Sequence, residues 1–226
     1  MKKYKLTSTF SLLALFIGSI LSEENGVIAV TTKAKGNVSH RAWNSEDYIN
    51  LLPAKSLNDG DHIQTGDDGF GALVYLDDKS MIKIKENTNF DVMGTKNQGQ
   101  ISKRIKISNG TVKASIQKGT KGGFVIETPT SVATVKGTEF WFVTSSEGDQ
   151  VFGLEGIVEL KNIISDEIVM VGIDETGTSL KTGEINVTTT DPSNIPTEDE
   201  NQEINKFEIQ FEGPNGDQKT MKIRYR

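Results

Sequence analysis

From Glu23 onward the apolar residues fall in short runs of Val, Ile, Thr and Phe cut by Gly, Asn and Asp, and no long stretch repeats with a helical period. Such runs predict β-strands. The expected strands are 27–31, 36–43, 62–64, 70–76, 80–85, 89–92, 101–107, 111–116, 123–128, 139–143, 150–154, 157–160, 168–171, 179–181 and 184–187. Between them lie Asn58-Asp59-Gly60-Asp61, Gly66-Asp67-Asp68-Gly69, Asp77-Asp78, Asn109-Gly110 and Glu147-Gly148, residues that accept positive φ or bond their own backbone. Asn109-Gly110, between two patterned runs, predicts a two-residue hairpin turn. Residues 45–57 leave two readings open: a helical turn capped by Ser45 and limited by Pro53, or an irregular edge segment. Short strands recurring at this spacing fit a sandwich, a barrel or a β-roll stack, and periodicity does not choose among them.

Beyond the strands the pattern changes twice. Residues 191–204 combine two prolines with several acids and no apolar repeat, which predicts a solvated linker. In 205–226, Phe207, Ile209 and Phe211 alternate with polar residues, then Gly213-Pro214-Asn215-Gly216 turns the chain, and Met221, Ile223 and Tyr225 alternate on the return. That is a β-hairpin with one apolar face, and acids are expected opposite bases across it. An isolated two-stranded hairpin is marginal in water, so this face needs cover, with docking onto the main domain favoured over a partner.

The amino terminus has its own layout. Lys2, Lys3 and Lys5 precede a weakly polar to apolar run ending at Leu21, and Ser22 stands before Glu23-Glu24. A charged head followed by an apolar stretch shorter than a membrane span predicts a secretory signal peptide over 1–22, with cleavage near Ser22 favoured over a retained signal anchor. The expected organisation is therefore signal peptide 1–22, all-β domain 23–190, acidic linker 191–204 and hairpin 205–226, in a periplasmic or secreted protein with no stable membrane insertion after cleavage.

Charge and composition narrow the chemistry. The chain of 226 residues has 25 basic and 31 acidic residues, and loss of the first 22 leaves 22 basic against the same 31 acids, a net charge of −9. Such a surface repels phosphate backbones, so no nucleic-acid partner is expected. With no cysteine there is no disulfide, thiol nucleophile, thiolate metal site or lipid-modified cysteine. His40 and His62 are the only histidines, too few for a multi-histidine metal site, and both are expected as surface strand residues. Asp59, Asp61, Asp67 and Asp68 lack calcium-loop spacing and read as turn-forming carboxylates. No phosphate loop, nucleophile elbow or metalloprotease helix occurs, so neither an enzyme nor a cofactor is expected.

Two ordered stretches carry a family resemblance. Residues 34–43 read AKGNVSHRAW, and LNDGDHIQTGDDGFGALVYLDDKSMIKIKENTNFDV follows from Leu57. After NGTVKASI at 109–116, FVIETPTSVATVKGTEFWFVTSSEGDQVFGLEGIVELK runs from Phe124 to Lys161. Together they resemble a FecR domain. The more specific half contains Thr128-Pro129, then Val135-Lys136-Gly137-Thr138-Glu139-Phe140, then Glu155-Gly156. The departures are Lys79, where Gly is usual, and Lys136, where Arg is usual. The resemblance implies an all-β sandwich or β-roll-like domain in an envelope regulator that transmits a receptor signal. Its sigma-factor contact is not expected here, because only about five residues precede the apolar run.

The motif residues are expected to be mainly structural: Gly137 as a bend or close approach, Thr138 and Glu139 as partners of nearby backbone. Trp141 is expected as core or edge cover, with partner or sugar contact as its functional reading, and Phe207, Ile209 and Phe211 as interaction residues. Two functions follow from different classes. One is a signalling or regulatory adaptor that docks an envelope protein. The other is a secreted glycan- or wall-binding module using Trp43, Tyr48, Tyr75 or Trp141.

Overall fold

The structure is a computed structural model that describes residues 26–119, 123–198, 205–212 and 218–225. The expected signal peptide and the hairpin turn at Gly213 to Gly216 lie outside the described residues. The described residues form β-strands throughout, with a single 3-10 turn among them at Pro192–Asn194. Its strands are β1 (Ala29–Lys35), β2 (Val38–Arg41), β3 (Ile49–Asn50), β4 (Ser56–Leu57), β5 (Asp61–Thr65), β6 (Phe70–Tyr75), β7 (Met81–Ile84), β8 (Asn89–Asn97), β9 (Gln100–Ser115) and β10 (Phe124–Glu127). They continue as β11 (Ser131–Val135), β12 (Glu139–Thr144), β13 (Gly148–Glu155), β14 (Val158–Asn162), β15 (Ile168–Val171), β16 (Glu175–Leu180), β17 (Ile185–Thr189), β18 (Asn205–Glu212) and β19 (Gln218–Tyr225).

Strand pairing resolves the choice left open by periodicity. One layer runs β4-β1-β6-β7-β9-β12-β13-β16-β17. The other runs β3-β2-β5-β8-β9-β10-β11-β14-β15. Strand β9 is the centre of both, with β1–β8 on one side and β10–β17 on the other. The chain repeatedly turns a corner from one layer to the next, at 136–138 between β11 and β12 and at 156–157 between β13 and β14. The architecture is a sandwich built as a β-roll. Among the described residues, only β9 with β10 is a parallel pair.

Alternation builds the core. Ile82, Val112, Phe140, Phe142 and Val151 of the first layer meet Ile63, Phe90, Ile105, Ile126 and Leu160 of the second in one buried cluster. Neighbouring residues on each strand point to the outer faces.

Two expectations change, and the open choice at 45–57 closes. Asn109-Gly110 does not close a hairpin; both residues lie inside β9, where the strand crosses between layers. Gly110 has φ +120°, and a Cβ there would stand 2.2 Å from Thr88 Oγ1, which accepts the Thr111 N–H. The tight hairpin is instead between β8 and β9, where Gln98 and Gly99 have φ of +50° and +77°, the left-handed pair a type I′ turn needs. A strand at Ser131–Val135 was not expected, because its inward residues are Ser131, Ala133 and Val135, of which only one is large and apolar. Residues 45–57 hold no helical turn, only the short edge strands β3 and β4.

The hairpin of β18 and β19 forms with Ile209 opposite Met221 and Phe207 opposite Ile223. Its register sets Glu208 against Lys222 but also Lys206 against Arg224, so acids and bases alternate less regularly than expected. Met221 is buried with Val30 and Val74 on the outer face of the first layer, and Ile209, Leu76 and Met81 pack around them. The hairpin therefore docks on its own domain.

Candidate functional site

The motif residues gather at the corner joining β11 to β12. Gly137 has φ +77°, and a Cβ on it would lie 2.8 Å from Lys118 Cα, so the backbone there has no room for a side chain. Thr138 is buried, its carbonyl accepts the Ile116 N–H at 2.8 Å, and its hydroxyl has no hydrogen-bond partner. Gly156 packs against this corner: a Cβ there would meet Thr138 Cγ2 at 2.5 Å and the Gly137 carbonyl oxygen at 3.0 Å. Val135 and Phe140 are core residues, whereas Lys136 is exposed. Glu139 takes an ion pair from Lys113 at 2.6 Å, and Glu155 one from Lys118.

Thr128 and Pro129 stand apart from that corner, at the start of the β10–β11 turn. Thr128 Oγ1 accepts the N–H groups of Thr130 and Ser131 and donates to buried Asp149. Pro129 is exposed. The two parts of the motif thus organise different turns and do not converge on one cleft.

The carboxylates serve the backbone. Asp59 accepts the Gly94 N–H and Asp68 the Asn37 N–H. Asp61 accepts the N–H groups of Asn58 and Trp43, and His40 Nε2 lies 2.9 Å from its Oδ2. Burial alone would raise the Asp61 carboxyl, but the hydrogen bonds from His40, Asn58 and Trp43 outweigh it and hold the group below its ordinary value. His40 is 2% exposed, so it is a core residue rather than a surface one; Asp61 supplies the polar partner that makes its burial tolerable. His62 lies 2.7 Å from Asp91 on the outer face of the second layer. Among the described residues no three His, Cys, Asp or Glu side chains group as a metal site.

The aromatics divide sharply. Tyr75 lies wholly in the core and is removed from the surface candidates. Trp43 and Tyr48 are exposed. Trp141 is 3% exposed although it faces away from the core, in register with Lys113 on one side and Phe152 on the other. The Lys113 ammonium sits 5.9 Å from the Trp141 ring centre. Of the hairpin candidates, Ile209 packs on the first layer, while the side chains of Phe207 and Phe211 lie outside the described residues.

Two features escaped the sequence reading. First, Glu198 of the expected linker pairs with Lys83 at 2.6 Å and with Lys113, and Lys85 Nζ donates to the Thr197 carbonyl at 3.1 Å. Lys83 lies in β7 and Lys85 just past its end, an alternation that marked a shared face, but nothing in the linker marked its partner. Second, among the described residues β15 pairs only with β14 and leaves Ile168 and Met170 exposed, with Ile163 and Ile164 at one end and Ile157 and Ile173 at the other.

Residues 61–159, which contain every motif residue from Thr128 to Gly156, match the family model described as FecR protein. Over those residues the chain is similar to the FecR family. The FecR match begins at β5 and ends within β14, so the strands on both flanks complete the two layers around it. Two crystal structures of a candidate anti-sigma factor from Parabacteroides distasonis ATCC 8503, at 2.50 and 1.65 Å resolution, are similar at 15% identity, with TM-scores of 0.49 and 0.47. Each similarity covers 57% of this chain and 60% of the other protein. No curated protein matches the chain.

Proposed function

We propose that this chain is a non-enzymatic envelope adaptor that binds a protein partner along the free edge of β15. The similarity of residues 61–159 to the FecR family supports the signalling class. The observation that carries the docking site is the run of exposed Ile163, Ile164, Ile168, Met170 and Ile173 beside an edge strand without a charged residue. Folded proteins usually blunt such edges with charge, proline or brevity. Strands β3 and β4 are blunted by length, at two residues each; β15 is not. The fitting partner adds an extended strand, with main-chain hydrogen bonds for affinity and apolar contacts for choice.

The test is capture from intact envelopes with the natural chain and with Met170→Lys. A specific protein retained by the first and lost by the second, at unchanged melting temperature, supports the reading. Equal retention by both overturns it. A glycan-binding reading has one observation of its own, the exposed pair Trp43 and Tyr48, and predicts retention of purified wall material that is lost on Trp43→Ala. The periplasmic or secreted location rests on the charged head and apolar run of 1–22, and amino-terminal sequencing of the fractionated protein tests it.

A further inference from the structure

The outer face of the first layer carries one transverse row fixed by register: Thr176 beside Phe152, Phe152 beside Trp141, Trp141 beside Lys113, and Lys113 beside Lys83. The chain leaving β17 is tied to one end of that row and then to the other. Thr190 Oγ1 lies 2.8 Å from Thr176 Oγ1, and eight residues later Glu198 reaches Lys113 and Lys83. Four strand steps span about 19 Å, and eight extended residues reach about 26 Å, so the segment fits the row with slack for its 3-10 turn. Ile195 and Pro196, midway along the segment, are half-buried, and Trp141 and Phe152, midway along the row, are 3% exposed.

The end of the row is built to take a carboxylate. Lys83 and Lys113 are each 13% exposed at the side chain and bracket the two oxygens of Glu198, while Lys85 holds the preceding carbonyl. Burial would push the Glu198 carboxyl up, but the hydrogen bonds from Lys113 and Lys83 outweigh it and lower it.

We propose that this face is a binding site for an acidic, extended polypeptide, and that residues 190–198 occupy it as an internal ligand. A partner segment with an apolar residue about three positions before a carboxylate offers the same contacts and competes with the chain's own. This deepens the adaptor reading and rests on it, but it concerns a different surface from the β15 edge.

The experiment uses the full chain with Trp43→Phe, which leaves Trp141 as the single tryptophan, with and without Glu198→Gln. Glu198→Gln is expected to raise acrylamide quenching of Trp141 several-fold. A synthetic peptide of residues 190–200 then restores protection; a peptide with Gln at position 198 does not, and adding Lys83→Gln removes the rescue. Quenching unchanged by Glu198→Gln overturns the occupied site. Increased quenching without peptide rescue shows an intramolecular clasp and overturns the binding role. Neither failure touches the capture experiment at β15, so this site and the adaptor reading fail separately.

Discussion

The two outer faces of the sandwich are made by the same strand alternation and have opposite fates. The first presents Val30, Val74, Met81, Trp141 and Phe152, and is crossed by the segment 190–198 and the hairpin. Across the second, register sets Arg41, His62, Asp91, Lys106 and Glu127 in one line of mostly alternating charge. That line stays in water, and its ion pairs, such as Arg104 with Glu127 at 2.8 Å, are the screened surface kind. A face of apolar side chains recruits its own chain as cover, whereas a charged one needs none.

Large-to-small substitution should separate the faces most. Trp141→Ala is expected to cost about 3–5 kcal/mol, as for a buried aromatic, and Tyr48→Ala on the second face within about 0.5 kcal/mol. Urea unfolding of both variants measures the gap; equal costs would erase the distinction. Next in size is Gly137→Val, roughly 1–3 kcal/mol from backbone strain at the corner joining the faces. Hydrogen exchange should then show protection lost in both layers, and a loss confined to one would uncouple them.

Met221→Asp removes the hairpin's buried anchor on the first face. We expect a loss of about 1.5 kcal/mol and concentration-dependent association in sedimentation, since Val30 and Val74 lose their cover. A monomer of unchanged stability would show that the hairpin covers nothing of consequence.

Acid should loosen the cover of the first face. Glu198 is held below its ordinary value in the folded chain, so its stabilisation is full above the unfolded carboxylate range and is lost as pH falls through the folded value. Asp61, lowered likewise, adds to the loss in the same window. Trp141 quenching that stays flat from neutral pH to below the carboxylate range would contradict this. The smallest effect belongs to the charged line: Lys106→Ala should change stability by no more than about 0.5 kcal/mol in thermal melts.

Much of this contrast was legible. The unbroken run Phe140-Trp141-Phe142-Val143 has no polar alternate, which is how a strand buried on both sides reads. What covers it was not legible, because Glu198 lies 85 residues from Lys113 and sits in a segment composed like a free linker. Asn109-Gly110 misled for a related reason: positive φ suits a hairpin turn and a layer-crossing corner equally, and only the neighbours across the strand decide. The motif residues from Thr128 to Gly156, expected to be mainly structural, lie at corners and turns, while the exposed β15 edge carried no motif to find. His40 shows the same limit, since its burial depends on Asp61 in another strand.

Strand β9 has a kinetic consequence. Strands β7 and β8 both take their second neighbour from β9, and the whole second half of the sandwich is laid against its other side. A chain that emerges amino end first therefore holds two bare edges until residues 100–115 arrive, and most of its pairing waits on that one segment. Folding should be slow, as for other β topologies rich in non-local pairs, and β9 is where chaperone capture and misassembly compete with completion.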